Sequence, residues 1–166
     1  FAGVRIGIAT AKGIAMAANK PLLGVISLDA IAAGLSKDEV VDRQIISVID
    51  ARRSQCYIAV YRSNFEKLLD PAALDYRIAA ETIKTIVKSS SVILIGTGST
   101  QLAEELEGLG IITEVSKSEP LPRASVIARV VYEKVRHNDW PSGVISPLYL
   151  RDSGATSPKQ TFLKNA

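Results

Sequence analysis

A handful of residues are of types that could do chemistry. Gly96-Thr97-Gly98 lies between an apolar run and a helix-like one. At such a strand-to-helix turn, backbone amides can meet an anion. Gln101 stands where a dinucleotide fingerprint has its third glycine, and no Walker lysine follows. Gly96, Thr97 and Gly98 therefore read first as a tight turn and only weakly as an ATP or ADP contact. Cys56 and His137 are the only residues of their kinds. Cys56 sits in an alternating strand pattern and reads as a small buried hydrophobe rather than a nucleophile. His137 closes a helical pattern beside Asn138 and Asp139, where a cation suits the helix C-terminus. No Gly-x-Ser-x-Gly elbow accompanies the lone histidine. Arg52 and Arg53 follow Asp50 at a hairpin, where arginines stand in solvent by default or else meet a partner or RNA.

The elements that position these residues follow from periodicity. Ala2 to Asn19 predicts a helix stopped by Lys20-Pro21. Gly3, Gly7, Ala11 and Ala15 recur four apart on it, a stripe small enough for another backbone to approach, from its own domain or from a partner. Leu22 to Ile26 predicts a short strand, and Ser27 a cap for a helix reaching Leu35. Ser36 to Arg43 is polar and reads as a link. Strands are predicted over Gln44–Asp50 and Gln55–Arg62, with Tyr57, Ala59 and Tyr61 on one face and Cys56, Ile58 and Val60 on the other. A third strand over Leu74–Ala79 precedes a helix over Ala80–Lys88. Strand Val92–Ile95, helix Thr100–Leu109, strand Ile111–Val115 and helix Ala124–Arg136 complete the pattern. From Gln44 the order is β-β-β-α-β-α-β-α, one lobe of the actin-like architecture. The expected division is 1–43, a helix-strand-helix remnant of a first lobe; 44–140, a second lobe; and 141–166, a closing segment and a polar tail.

Composition agrees with a folded chain. The 166 residues are 47% hydrophobic and 22% charged, enough for a core without metal or disulfide staples. A net charge of +3 permits contact with RNA or an acidic protein without establishing either. A single cysteine suits a reducing compartment, and the early apolar stretch is interrupted by Arg5, Lys12 and Lys20. The expected location is the cytoplasm, with no membrane contact. The chain opens at Phe1 directly in a helical pattern, and its only methionine is Met16. It reads as the later part of a longer sequence.

Four segments together resemble the TsaB (YeaZ) family: Phe1 to Gly13, Pro21 to Leu28, the Ile49-Asp50-Ala51-Arg52-Arg53 hairpin with Tyr57 to Tyr61, and Pro147 to Arg151. The resemblance implies an actin-like (ASKHA, ribonuclease H-like) fold with a truncated first lobe and a complete second one. It also implies kinship with the TsaD/Kae1 (glycoprotease) family, whose catalytic members hold a metal through a His-x-x-x-His pair. The matching positions here are Ser27 and Ile31, so neither metal site nor catalytic residue is expected.

The function this resemblance implies is a non-catalytic subunit in the synthesis of threonylcarbamoyladenosine on tRNA. Its partners would be a TsaD-type catalytic subunit, a TsaE-type ATPase and, functionally, a TsaC/Sua5-type enzyme, with tRNA met through the complex and a homodimer as a further assembly. The partner contact is expected at Val4, Arg5, Ile8 and Ala11. No cofactor is expected beyond weak ATP or ADP binding. The alternatives are a nucleotide-binding actin-like small-molecule kinase and a metallopeptidase-like protein.

Overall fold

A computed structural model describes residues 2–87, 91–137 and 144–151. Lys88, Asn138, Asp139 and the tail from Asp152, with its Phe162-Leu163 pair, lie outside the described residues. Helix α1 covers Ala2–Ala17, α2 Ser27–Ala32 and α3 Lys37–Val40. Then come β1 (Gln44–Arg52), β2 (Gln55–Tyr61), β3 (Lys67–Asp75), α4 (Tyr76–Ile86), β4 (Ser91–Ile95), α5 (Ser99–Glu107), β5 (Ile112–Val115) and α6 (Ala124–Arg136).

The strands form one sheet in the order β3-β2-β1-β4-β5. The β1–β2 and β2–β3 pairs are antiparallel, and β1–β4 and β4–β5 are parallel. Alternation along β1, β2 and β4 divides the apolar side chains between two faces. On one face Ile46, Val48, Cys56, Ile58, Val60 and Leu94 pack against Tyr76, Ala79 and Ile83 of α4 and Leu102 and Leu106 of α5. On the other, Ile45, Ala59, Tyr61, Ile93 and Ile95 pack beneath Leu28, Ile31 and Ala32 of α2, with Leu35 and Val40. The central strands are thus covered on both sides, and α2 and α3 share a core with the sheet.

Several elements differ from the sequence expectation. Leu22–Ile26 joins no ladder; it runs from α1 to α2 without helix or strand pairing. Ser27 is the first residue of α2 rather than its cap, and Ile26 at the N-cap makes no side-chain bond. The polar link contains α3, closed by a capping box between Ser36 and Glu39. The third strand lies at Lys67–Asp75, and α4 begins at Tyr76. Tyr76, Ala79, Ala80 and Ile83 have the i, i+3, i+4, i+7 spacing of a helix face and are all buried. Ile58 faces Ala72 and Val60 faces Leu69, so Asp70 and Pro71 together oppose Ala59 in a bulge. An edge strand accommodates a proline at such a place.

Candidate functional site

The Gly96-Thr97-Gly98 turn leads from β4 into α5 and is pressed against β1. Gly96 has φ +119, and a Cβ there would lie 2.1 Å from the carbonyl oxygen of Val48. At Gly98 a Cβ would lie 2.6 Å from the Tyr76 hydroxyl and 2.9 Å from Val48 Cγ2. Gly96 is therefore accounted for by close backbone approach and Gly98 by close packing of the Tyr76 and Val48 side chains. The turn is bonded accordingly: Gly98 N–H donates to Val48 O (3.1 Å), Ser99 N–H to Gly96 O (3.3 Å), and Asp50 N–H to Thr97 Oγ1 (3.1 Å). Burial, then the Asp50 carboxylate and Cys56, push the Tyr76 phenol above its ordinary range. The Tyr76 hydroxyl is close enough to Asp50 to feel its charge, yet meets no partner at hydrogen-bond geometry.

The β1–β2 hairpin beside this turn is strained. Arg52, Arg53 and Ser54 all adopt positive φ (61, 55 and 59), which L-residues avoid. Asp50 Oδ1 braces it by accepting the Arg52 N–H at 2.9 Å. Arg151 of the closing segment reaches the same corner, donating to Gln55 Oε1 at 2.9 Å. The side chains of Arg52 and Arg53 are exposed. Cys56 is fully buried beneath, and burial, with Asp50 and Asp75 adding to it, pushes its thiol up to about 12. It is a core residue and no thiolate. His137 closes α6, its N–H donating to Glu133 O and Lys134 O, with Nε2 3.9 Å from the Glu133 carboxylate.

Ile31, at one of the two positions that match the catalytic relatives' histidine pair, is 1% exposed and packed in the core under α2. No group of three or more His, Cys, Asp or Glu among the described residues could hold a metal ion. Two polar clusters instead tie elements together. Asp29 of α2 accepts the Tyr61 hydroxyl at 2.7 Å and pairs with Lys67 at 3.2 Å. Glu39 of α3 accepts Ser36 N–H, Ser116 Oγ–H and Ser118 Oγ–H at 2.9, 2.6 and 3.1 Å.

Helix α1 carries the expected partner residues. It has no buried residue, although Arg5 and Lys12 are its only charged side chains. Ile8, Ala11 and Ala15 are half-buried and Val4 lies on the same face, turned toward the rest of the chain. Val4 and Ile8 line a groove of about 940 Å³, whose other walls include Leu23, Val25, Ile145 and Leu148. Arg5 Nε donates to the Tyr149 hydroxyl at 2.5 Å, and its guanidinium lies 5.4 Å from that ring's centroid. The opposite face leaves Ile6, Ile14 and Met16 at 66%, 65% and 83% exposure. A Cβ at Gly3, Gly7 or Gly13 would meet nothing within 4 Å. The structure thus separates residues that the sequence grouped: Ala11 and Ala15 are half-buried, while a Cβ at Gly3 or Gly7 would enter open space.

The model of the family TsaD, tRNA N6-adenosine threonylcarbamoyltransferase, matches residues 1–159. The chain belongs to this family. Its likeness within the family is to the TsaB/YeaZ type. The tRNA threonylcarbamoyladenosine biosynthesis protein TsaB of Escherichia coli (strain K12) is 32% identical over 102 residues, 59% of this chain and 43% of that protein. The chain thus spans less than half the length of this curated relative. An uncharacterized protein from Pseudomonas aeruginosa with similarity to peptidase YEAZ superposes with a TM-score of 0.67 at 23% identity, over 91% of this chain and 68% of its own. YeaZ from Pseudomonas aeruginosa gives 0.62 at 21%, over 84% and 63%. At these identities the structures establish the fold, which is the actin-like α/β fold read from the sequence. No helix among the described residues is long and apolar enough to cross a membrane.

Proposed function

We propose that this chain acts in threonylcarbamoyladenosine synthesis on tRNA as a non-catalytic, TsaB-type subunit that binds and supports a TsaD-type transferase in the cytoplasm. The family match over residues 1–159 carries the reading. The side chain at the second position of the metal pair supports it: Ile31 is an apolar core residue, which cannot ligate an ion. The partner contact is assigned to α1. The residues assigned to it are Val4, Arg5, Ile8 and Ala11, with Gly3 and Gly7 of the small-residue stripe beside them. A helix of this composition with no buried residue suits a surface that a protein partner covers. A TsaE-type ATPase joins the assembly, and a TsaC/Sua5-type enzyme supplies the activated threonylcarbamoyl group.

This subunit needs no cofactor of its own in this reading, and the Gly96–Gly98 turn offers ATP or ADP weak binding at most. The test is reconstitution. Chain alone transfers no threonylcarbamoyl group to tRNA; adding it to the TsaD-type subunit, the ATPase and the activating enzyme raises modification well above the level without it. Turnover by the chain alone, or an unchanged rate on its addition, overturns the proposal. Calorimetry with ATP separates it from a small-molecule kinase, which would bind the nucleotide tightly.

A further inference from the structure

Of the ten arginines in the chain, six bond or ion-pair with a neighbour through the guanidinium. The side chains of Arg52, Arg53, Arg77 and Arg123 are exposed and bond to nothing among the described residues. Three of these four gather at one corner. Arg53 and Ser54 are the tip of the β1–β2 hairpin, and Arg52 pairs with Gln55 at its base. Tyr76 N–H donates to Ser54 O at 3.2 Å, which brings Arg77, the next residue, to the same tip. Arg77 lies in the first turn of α4, a turn without an acid. Asp50 and Asp75 are the carboxylates of this corner, and they stand at the base of the hairpin, in register with Cys56 and Gln55. The tip is held in place in advance: Asp50 Oδ1 accepts the Arg52 N–H at 2.9 Å, and Arg151 braces Gln55 Oε1 at 2.9 Å and Ala51 O at 3.4 Å. Arg52, Arg53 and Ser54 all have positive φ, a strain that Asn-Gly at the two loop positions would relieve. The chain thus spends stability on holding two arginines outward.

We infer that Arg52, Arg53 and Arg77 form a contact for the sugar–phosphate backbone of tRNA, made directly by this subunit. The inference rests on the proposed function for the identity of the RNA. A guanidinium offers a planar fork of donors that matches a phosphate in bidentate fashion, and it keeps its charge at every working pH. Held on a braced tip, the forks lose little freedom on binding. A protein partner would need an apolar or aromatic anchor at the centre of the contact. The hairpin loop has none: Arg52, Arg53 and Ser54 are all polar, and no large exposed apolar side chain lies between Val41 and Phe65. Phosphate contacts fix the register and orientation of a nucleic acid without reading its sequence. The corner therefore orients the tRNA on the assembly, and any selection among tRNAs lies elsewhere.

Binding of a fluorescent, unmodified tRNA transcript to the 166-residue chain tests it, measured over a range of salt. The test variant combines Arg52→Gln, Arg53→Gln and Arg77→Gln. A control variant removes the same charge by Lys37→Gln, Lys117→Gln and Arg123→Gln, at exposed residues that form no ion pair among the described residues. Melting temperatures verify that both variants fold. Losing three phosphate contacts should weaken binding about tenfold or more and flatten the plot of log affinity against log salt by roughly 2 to 3. The control should stay close to the parent. In the reconstituted reaction the test variant should raise KM for tRNA and leave kcat and affinity for the TsaD-type subunit unchanged. Four results overturn the inference: unchanged tRNA binding by the test variant; an equal loss in both variants, which is net charge alone; a loss of affinity for the TsaD-type subunit, which makes the corner a protein interface; or displacement of the transcript by ATP or ADP, which makes it a nucleotide site. A parent chain that raises no modification defeats the proposed function instead, and the binding measurement still decides the role of the corner.

Discussion

The carboxylate of Glu39 on α3 lies 2.6 Å from the hydroxyl of Ser116, which follows β5, across 77 residues of sequence. Burial pushes this carboxyl up, but the hydrogen bonds from Ser116, Ser36 and Ser118 outweigh it and hold Glu39 down at about 2. Its folded pKa is therefore below the unfolded value. The stabilisation it gives is complete above the unfolded glutamate range, near pH 4.3, and is lost as pH falls toward 2. Glu39→Gln should lower stability by on the order of 1 kcal/mol at pH 7, after discounting for solvent screening of a half-exposed carboxylate. Thermal melts from pH 7 to pH 2 should show the gap between the two proteins closing with acid. A gap that stays constant would mean the ionised form is not what the serines hold.

The contact between Gly98 and Tyr76 predicts a non-additive pair. Gly98→Ala drives a methyl to 2.6 Å from the tyrosine hydroxyl and should cost about 1–3 kcal/mol. Adding Tyr76→Phe removes the nearest clashing atom, so the double variant should be more stable than Gly98→Ala alone. Gly96→Ala has no such rescue, because its obstacle is the Val48 carbonyl and its φ is +119; about 3 kcal/mol or more should be lost. Urea melts of the parent, Gly98→Ala, Tyr76→Phe, their double variant and Gly96→Ala check this. Equal losses for both glycine variants, with no rescue by phenylalanine, would show that the turn is loosely packed.

The hairpin offers a gain of stability. Arg53 and Ser54 occupy the left-handed positions that a two-residue loop gives to Asn-Gly. Arg53→Asn with Ser54→Gly should therefore stabilise the chain by about 1 kcal/mol. The melting temperature reads this directly. If these residues were selected for partner or RNA contact, reconstituted activity should fall while stability rises.

Much of this architecture was legible in the sequence because its signals are local. Helix α6 falls on the expected residues, and the alternation of Cys56 to Tyr61 assigns each side chain to the core it joins. The capping box at Ser36 and Glu39 was also written in the spacing, though its polar surroundings read as a link. Strand β3 was obscured because the Asp70-Pro71 bulge breaks its alternation. Leu22–Ile26 shows the deeper limit. Its composition is that of a strand, but pairing depends on a neighbour that no local pattern supplies. The same holds for α1. Periodicity draws its small stripe, but Tyr149, 144 residues away, fixes which side turns inward.

The stripe now gives a test that separates partner binding from folding. A Cβ at Gly7 meets no atom within 4 Å, so a leucine there starts into open space rather than into its own chain. Replacing a mid-helix glycine by leucine favours the helix by roughly 0.5–1 kcal/mol, so Gly7→Leu should leave the chain as stable or slightly more so. On a surface that meets a TsaD-type partner, the same side chain holds two helices apart along their seam. Such overpacking costs about 1–3 kcal/mol, which is roughly a 5- to 150-fold loss of affinity. Pull-down and titration calorimetry with the catalytic subunit should show weaker binding by a better-folded chain. Undiminished affinity would remove this face of α1 from the interface, and the search would move to the exposed arginines of the hairpin.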